Sequence, residues 1–389
     1  MSERRQRRGL GTRLIHAGSR PTGPGKPLVE PLVLATTFEF DTAAEFRRVM
    51  SEEEYGFLYG SLRNPTVEEL AAACADIEGA EAAQIFASGM GAIAAALFTT
   101  LGPGDTLLAP TQLYGNTYAL LERHLRRLGV EIVYVDVTDP AAWERPAKVR
   151  YVETLANPGF PLADLGAFAA AKGDGLLIVD NTFASPSLCR PLEHGADIVC
   201  ESATKFLNGH HDVMAGVLAG TASLVEATRR HRYETGATVD PFAAFLLRRG
   251  LKTLELRMER ASQNALALAR FLHEQEAVEL VRYVGLEGDP DHELALRQLD
   301  DSGAMLAFTV LGGREGAERM LDGLELCARA TSLGGIETVV SHPASTSHRQ
   351  FSEAQLEASG VAPGMLRVSV GCEGADDLVA DFAGALSAL

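Results

Sequence analysis

Between about residues 61 and 250 the chain alternates short apolar runs with longer segments of helical period. AAQIF at 82–86 reads as a strand, and GAIAAALFTTL after it as a helix. DTLLAP (105–110), VEIVYVDV (130–137), VRYVET (149–154), GLLIVD (175–180) and ADIVCE (196–201) read as five more strands. Helical patterns such as NTYALLERHLRRLG and the 162–172 segment lie between them. Strands that are apolar nearly throughout are buried on both faces, and strands separated by helices predict a parallel sheet covered on both sides. A long helical stretch over 246–275 leads out of this region. Beyond it, strands (AMLAFTVLG, LRVSVG) mix with helices (REGAERMLDGLE, DDLVADFAGALSAL), the pattern of a smaller α+β domain. Residues 1–60 lack a sustained period and carry Pro21, Pro24, Pro27 and Pro31, which predicts an extended arm. The expected organisation is an arm over 1–60, a large α/β domain over 61–250 and a smaller C-terminal domain over 251–389.

Composition narrows the function classes. With 46% hydrophobic residues in 389, the chain can build a core large enough to bury a cofactor. A net charge of −17 argues against a nucleic-acid-binding body. The local exception, RRQRRGLGTR at 4–13, reads as a solvated basic arm, with a transit peptide as the alternative. No secretory signal is visible, and AIAAALFTTLG is too short to span a bilayer, so no membrane role is expected. Cys74, Cys189, Cys200, Cys327 and Cys372 are scattered without a CxxC pair, which fits reduced thiols in a cytoplasmic protein.

Open parallel sheets bind ligands at the carboxyl ends of their strands. The polar residues expected there are few. Ser88-Gly89-Met90-Gly91 follows the first strand, Asn157 comes shortly after the fourth, Asp180 ends the fifth, and Ser202, Thr204 and Lys205 follow the sixth. A glycine-rich turn opening a helix leaves backbone N–H groups for an anion, typically a phosphate, although a tight turn alone explains it equally well. Ser202 and Thr204 add hydroxyl donors. A partly desolvated lysine becomes a nucleophilic amine, and a buried carboxylate can hold a ring nitrogen protonated. A lone lysine is ordinarily a solvated one, and a lone aspartate is as readily a helix cap. The set in this order describes the mounting of pyridoxal 5′-phosphate (PLP). GHHD at 209–212 raises the question of a metal, but adjacent histidines do not readily share one face toward an ion, so none is expected.

Longer motifs then become recognisable: SGMGAI at 88–93, YGNTY at 114–118, VDNTFASP at 179–186, SATKFLNGHHDV at 202–213, RRGLKTLELRM at 248–258, SLGGIE at 332–337 and LRVSVGCE at 366–373. Over nearly its whole length the chain resembles the Cys/Met-metabolism family of PLP enzymes. That family includes cystathionine γ-synthase, cystathionine γ-lyase, cystathionine β-lyase, methionine γ-lyase and O-acetylhomoserine sulfhydrylase. The resemblance implies the fold type I, aspartate-aminotransferase-like architecture. It implies that Lys205 forms the Schiff base and carries protons through quinonoid intermediates, that Asp180 keeps the pyridine nitrogen protonated, and that Tyr114 stacks on the ring and serves as acid/base. Ser88, Gly89, Met90, Ser202 and Thr204 would hold the phosphate side, with Thr182 also on the cofactor and Asn157 at its phenolic oxygen. Arg367, with Ser332 and Leu333, would bind the substrate carboxylate, and Asn116 would face the substrate. Tyr59 would reach the active site of the neighbouring subunit, which makes the active form at least a dimer and, by resemblance, a homotetramer.

Several positions depart from the family pattern. The arginine usual two residues after that tyrosine is Ser61 here, and Arg63 is the candidate replacement. The usual E-x-P-x-N-P reads ETLANP, with Leu155 for proline, and the serine usual after SLGGIE is Thr338. Asn116 stands where methionine γ-lyases carry cysteine and the cystathionine enzymes glycine. These changes suggest a divergent member. The expected reaction is γ-elimination from methionine, cystathionine or an unusual γ-substituted L-amino acid, giving a 2-oxo acid and ammonia. γ-Replacement is the first alternative and β-elimination the second. A member that keeps the fold only to bind or regulate is disfavoured by intact Lys205, Asp180, Tyr114 and Arg367.

Overall fold

A computed structural model describes residues 8–18, 25–157, 159–346, 349, 356, 360–387 and 389. Six strands appear where the apolar runs predict them: β1 (Ala82–Phe86), β2 (Thr106–Pro110), β3 (Glu131–Val135), β4 (Val149–Glu153), β5 (Leu176–Asp180) and β6 (Ile198–Glu201). A seventh, β7 (Gly216–Gly220), completes a sheet of order β1-β7-β6-β5-β4-β2-β3. β2 to β6 pair in parallel, and β7 runs antiparallel to both β6 and β1. The sequence does not announce β7 because GVLAG has a glycine at each end, and glycine weakens the local strand preference. Gly216 is required by packing, since a Cβ there would run into the Ser88 carbonyl.

Both faces of this sheet are covered. Leu177 and Val179 of β5 join one apolar cluster with Leu70 and Ile77 of the helix Pro65–Glu78, while Ile178 joins another with Ala95 and Ala96 of the helix Gly89–Thr100. The helix Pro65–Glu78 begins where Asn64 accepts from the Thr66 N–H at 2.9 Å and ends at Gly79, whose φ of 71° suits glycine.

The helical stretch over 246–275 is two helices, Pro241–Leu251 and Leu254–His273. Gly250, in the last turn of the first helix, lets it close on the Asn208 backbone, with which a side chain would collide. At the break the Gly250 carbonyl accepts from the Thr253 N–H and hydroxyl, both at 3.2 Å, and from Arg257 Nη2 at 2.9 Å. The smaller sheet contains β8 (Val278–Arg282), β9 (Met305–Val310), β10 (Ala328–Arg329), β11 (Val339–Ser341) and β12 (Met365–Ser369), in the order β10-β11-β12-β9-β8. All its pairings are antiparallel except β10 with β11. β10 and β11 are two and three residues long, too short to show a period. Met305, Ala307 and Met365 of this sheet belong to the same apolar cluster as Leu177 and Val179, so the two sheets share a core.

The first sixty residues are less extended than expected. Their described part holds two helices, Leu10–His16 and Ala43–Met50. Leu14 is fully buried, and Thr42 caps the second helix by accepting from Glu45 N–H. Buried Arg248 pins the first helix to the body, donating to the carbonyls of Leu14 (3.1 Å) and Ala17 (2.7 Å). The basic run lies outside the described residues up to Arg7. No helix among the described residues is long and apolar enough to cross a membrane.

Candidate active site

The carboxyl ends of β1, β4, β5 and β6 open onto a cleft of about 610 Å³, closed on its other side by the loop before β11 and by β12. The predicted residues Ser88, Gly89, Met90, Tyr114, Asn116, Asn157, Asp180, Thr182, Ser202, Thr204, Lys205, Ser332, Leu333 and Arg367 all line it.

Its electrostatics begin with Lys205. The amine donates to Ser332 Oγ at 2.7 Å, and burial together with the nearby Arg367 cation lowers its pKa to about 8. Ser332 has φ of +81°, a strained conformation for a residue with a side chain. Arg367 projects from β12, buried, and donates to Asn157 Oδ1 at 2.9 Å and to the Ser332 carbonyl at 3.2 Å. Both acceptors are neutral, so burial lowers its pKa to about 10 and leaves a charged guanidinium at neutral pH. Asp180 ends β5. Its Oδ1 accepts from the Thr182 N–H at 3.0 Å and hydroxyl at 2.5 Å, and its Oδ2 accepts from Tyr151 Oη at 3.3 Å. Burial raises its pKa against those hydrogen bonds. Thr182 Oγ1 also accepts from the Ser202 N–H at 2.8 Å, which ties the β5 and β6 loops together.

At the opposite end Ser88 caps the helix Gly89–Thr100. Its Oγ accepts from the Gly91 N–H at 3.1 Å and its carbonyl from Ala92, leaving the Gly89 and Met90 N–H groups outside both bonds. A Cβ at Gly89 would lie 2.7 Å from Ser202 Cβ, so glycine lets the two loops close on one small space. Tyr114 stands half-exposed, with Asn116 Nδ2 donating to its hydroxyl at 3.0 Å. Burial raises the Tyr114 pKa, and the Asn116 bond partly opposes this.

Tyr59 and Arg63 are the exceptions. Neither lines the cleft of its own chain. Tyr59 pairs with Thr37 in an isolated bridge, and the Arg63 guanidinium lies 4.7 Å from the centre of the Tyr55 ring. Of the adjacent histidines, His210 Nδ1 contacts the Asn208 carbonyl and His211 lies 3.7 Å from Glu337. The five cysteines are free thiols.

Among the polar residues of the site to which sequence reasoning gave no role are Tyr151, Glu153 and Arg349. Tyr151 and Glu153 lie two residues apart on β4, and Glu153 pairs in register with Asp180. A charge ending an apolar strand beside Asp180 was the signal available. Arg349, at the cleft mouth, had none.

A family model described as Cys/Met metabolism PLP-dependent enzyme matches residues 11–387. The chain belongs to this family. It is 42% identical to the L-methionine γ-lyase of Porphyromonas gingivalis, with 98% of each chain covered. It is 39% identical to the O-succinylhomoserine sulfhydrylase of Pseudomonas aeruginosa, covering 97% of this chain and 95% of that one. The fold is that of the cystathionine γ-synthase of Xanthomonas oryzae pv. oryzae, solved with cystathionine, at a TM-score of 0.92 and 35% identity, with 98% of each chain covered.

The family's cofactor is PLP, and the cleft has the donor set for it. It holds a desolvated amine and a buried carboxylate, and a helix N-terminus whose Gly89 and Met90 N–H groups lie outside the Ser88 cap, with Ser202 and Thr204 also lining the cleft. Among the described residues the buried guanidinium of Arg367 meets two neutral acceptors, which leaves it a place for an added carboxylate.

Proposed function

We propose that this family member catalyses γ-elimination from an L-amino acid with a γ-leaving group, methionine, cystathionine or an unusual γ-substituted analogue, releasing a 2-oxo acid and ammonia. The end-to-end likeness to an L-methionine γ-lyase carries the choice of elimination. In this reading Lys205 mounts the cofactor, Asp180 faces its ring nitrogen, and the Ser88–Met90 turn with Ser202 and Thr204 holds its phosphate. Bound PLP supplies an electron sink for the bonds at the substrate Cα. The chain does the rest. Arg367, braced by Asn157, grips the substrate carboxylate and so orients the Cα–H bond. Lys205 Nζ, with a pKa of about 8, can take and return a proton near neutral pH. In this reading the Tyr114 hydroxyl, which accepts from Asn116, protonates the leaving group.

A second reading, γ-replacement, draws on Arg349: a cation at the cleft mouth suits an anionic leaving group such as a succinyl ester, matching the name of the sulfhydrylase relative. In either reading we place the enzyme in the cytoplasm as a homotetramer, with Tyr59 and Arg63 serving a neighbour's cofactor. Tyr59 lies half-exposed and off its own cleft, and Leu28, Leu34 and Met50 of the arm expose apolar surface that a second copy can cover.

The test is a panel of L-amino acids given to PLP-loaded protein with and without a thiol, with products identified by mass spectrometry. A 2-oxo acid and ammonia without thiol is the expected result. A thioether formed only with thiol would replace elimination by replacement.

A further inference from the structure

We propose that Glu153 is a positioning residue that holds Tyr114 and the Asn157–Arg367 clamp in one fixed arrangement, setting cofactor orientation and substrate affinity together. The roles of Tyr114 and Arg367 are those of the proposed function, on which this inference rests.

Glu153 is 6% exposed and faces the cleft from the end of β4. Its Oε1 accepts from the Tyr114 N–H at 2.6 Å and its Oε2 from the Asn157 N–H at 3.3 Å. The bonds continue beyond it. Asn157 Oδ1 accepts from Arg367, Arg367 donates to the Ser332 carbonyl, and Ser332 Oγ accepts from Lys205. One carboxylate therefore joins the residue expected to cover one face of the ring to the residues expected to grip the substrate. Tyr114 lies 39 residues before Glu153 in the chain, at the start of the short helix Gly115–Leu120, and its N–H has no strand to hold it. A carboxylate accepts on both oxygens, whereas a carboxamide must turn an NH₂ donor toward one of the two N–H groups. Burial and the charge of Asp180 oppose ionisation of Glu153 and push its pKa up to about 8, while the Tyr114 and Asn157 N–H donors favour the carboxylate, which prevails above that pH. An acid kept at such a place, with its two oxygens spent on two loops of the site, is spent on geometry.

The test uses full-length PLP-loaded protein at pH 9, where Glu153 is mainly ionised, and two readouts that need no turnover. One is the visible circular dichroism of the bound cofactor. The other is spectral titration with L-alanine, which has the carboxylate but no γ-leaving group. Glu153→Gln is expected to weaken L-alanine binding about tenfold, the loss of one hydrogen bond to a charged group, and to diminish the dichroism. Asn157→Ala added to Glu153→Gln should cost less than the two losses summed, because both act on Arg367. A purely structural role would lower Tm and leave affinity and dichroism of the folded protein unchanged; that result, or strict additivity, overturns the proposal. Should Glu153→Gln fail to fold, Glu153→Asp carries the test. Its shorter arm reaches one N–H only, so one readout should move more than the other, and wild-type values in both would refute the idea. Loss of the γ-elimination reading would show instead as wild-type protein that binds L-alanine but releases no 2-oxo acid from any panel substrate.

Discussion

The lysine that makes the site reactive should destabilise the apoprotein, and the amount can be worked from its surroundings. Burial and Arg367 move the Lys205 pKa from the ordinary 10.5 to about 8. At roughly 1.4 kcal/mol per pH unit that displacement costs the folded state about 3 kcal/mol. The amine retains some water contact, so this is an upper figure, and its hydrogen bond to Ser332 offsets about 1 kcal/mol. Lys205→Met keeps the length and removes the charge. At pH 7 the apo variant should therefore be more stable than apo wild type by about 2 kcal/mol. Because the folded pKa lies below the unfolded one, the unfolded chain binds the extra proton between the two values. The penalty is complete below pH 8 and disappears as pH rises toward 10.5. Urea unfolding of both apoproteins at pH 7 and pH 10 isolates this group, since all other titrations cancel in the difference. A gap that is absent at pH 7, or that does not shrink at pH 10, refutes the assignment of Lys205 as a desolvated amine. In the PLP-loaded protein Lys205→Met should also lose all turnover.

Other substitutions test separate parts of the site. Arg367→Ala should raise KM for an amino-acid substrate about 10- to 100-fold, the worth of a charge-assisted pair, and unchanged saturation would remove it from the carboxylate site. If Arg63 supplies a phosphate contact to a neighbour, Arg63→Ala should loosen PLP in equilibrium dialysis and Ser61→Arg should leave it unchanged or tighter; equal affinity in Arg63→Ala discards that role. Arg349→Gln should weaken binding of O-succinyl-L-homoserine and leave L-methionine unaffected, and equal effects on both would deny it a part in choosing the leaving group. Glu78 and Glu201 are buried face to face behind Asn181, and burial, with mutual repulsion at Glu201, raises both pKa values, that of Glu78 to about 8. Raised carboxyl pKa values give stability that is full below the unfolded value near 4.5 and lost as pH rises through 8. Glu201→Gln should thus raise Tm relative to wild type more at pH 8 than at pH 5, and a pH-independent difference would show that the pair does not share a proton.

What the sequence disclosed and what it hid follow different physics. Ser88, Asp180 and Lys205 were legible because each follows a run of buried apolar residues, and in an open parallel sheet that position alone places a side chain in the crevice. β7 was hidden because its pairing is decided by neighbours, with Gly216 chosen for space beside Ser88. The break at Lys252–Thr253 was hidden because the helical period runs through it, while the donors that take up the Gly250 carbonyl there, from Thr253 and from Arg257 reaching back, belong to the folded turn. Tyr151 reads as an ordinary member of a strand, and Glu153 as a motif position without a role, until the register sets Glu153 beside Asp180. The bond between Arg367 and Asn157 joins residues 210 positions apart, and no local pattern encodes such a contact.

That last bond also says where the site comes from. Asn157 follows β4 of the large sheet, and Arg367 lies on β12 of the small one. Lys205 follows β6 of the large sheet and meets Ser332, which precedes β11 of the small one. Two bridges therefore cross the cleft, joined on the small-sheet side by the bond from Arg367 to the Ser332 carbonyl. Beneath them Met305, Ala307 and Met365 pack into the same core as Val179 and Leu177. Sliding one sheet against the other would break both bridges and open that core at once, so the arrangement is held by burial far larger than the polar bonds it positions. The buried Arg367 charge and the strained Ser332 backbone are unfavourable locally, and the shared core is what keeps them in place for a carboxylate and an amine to use.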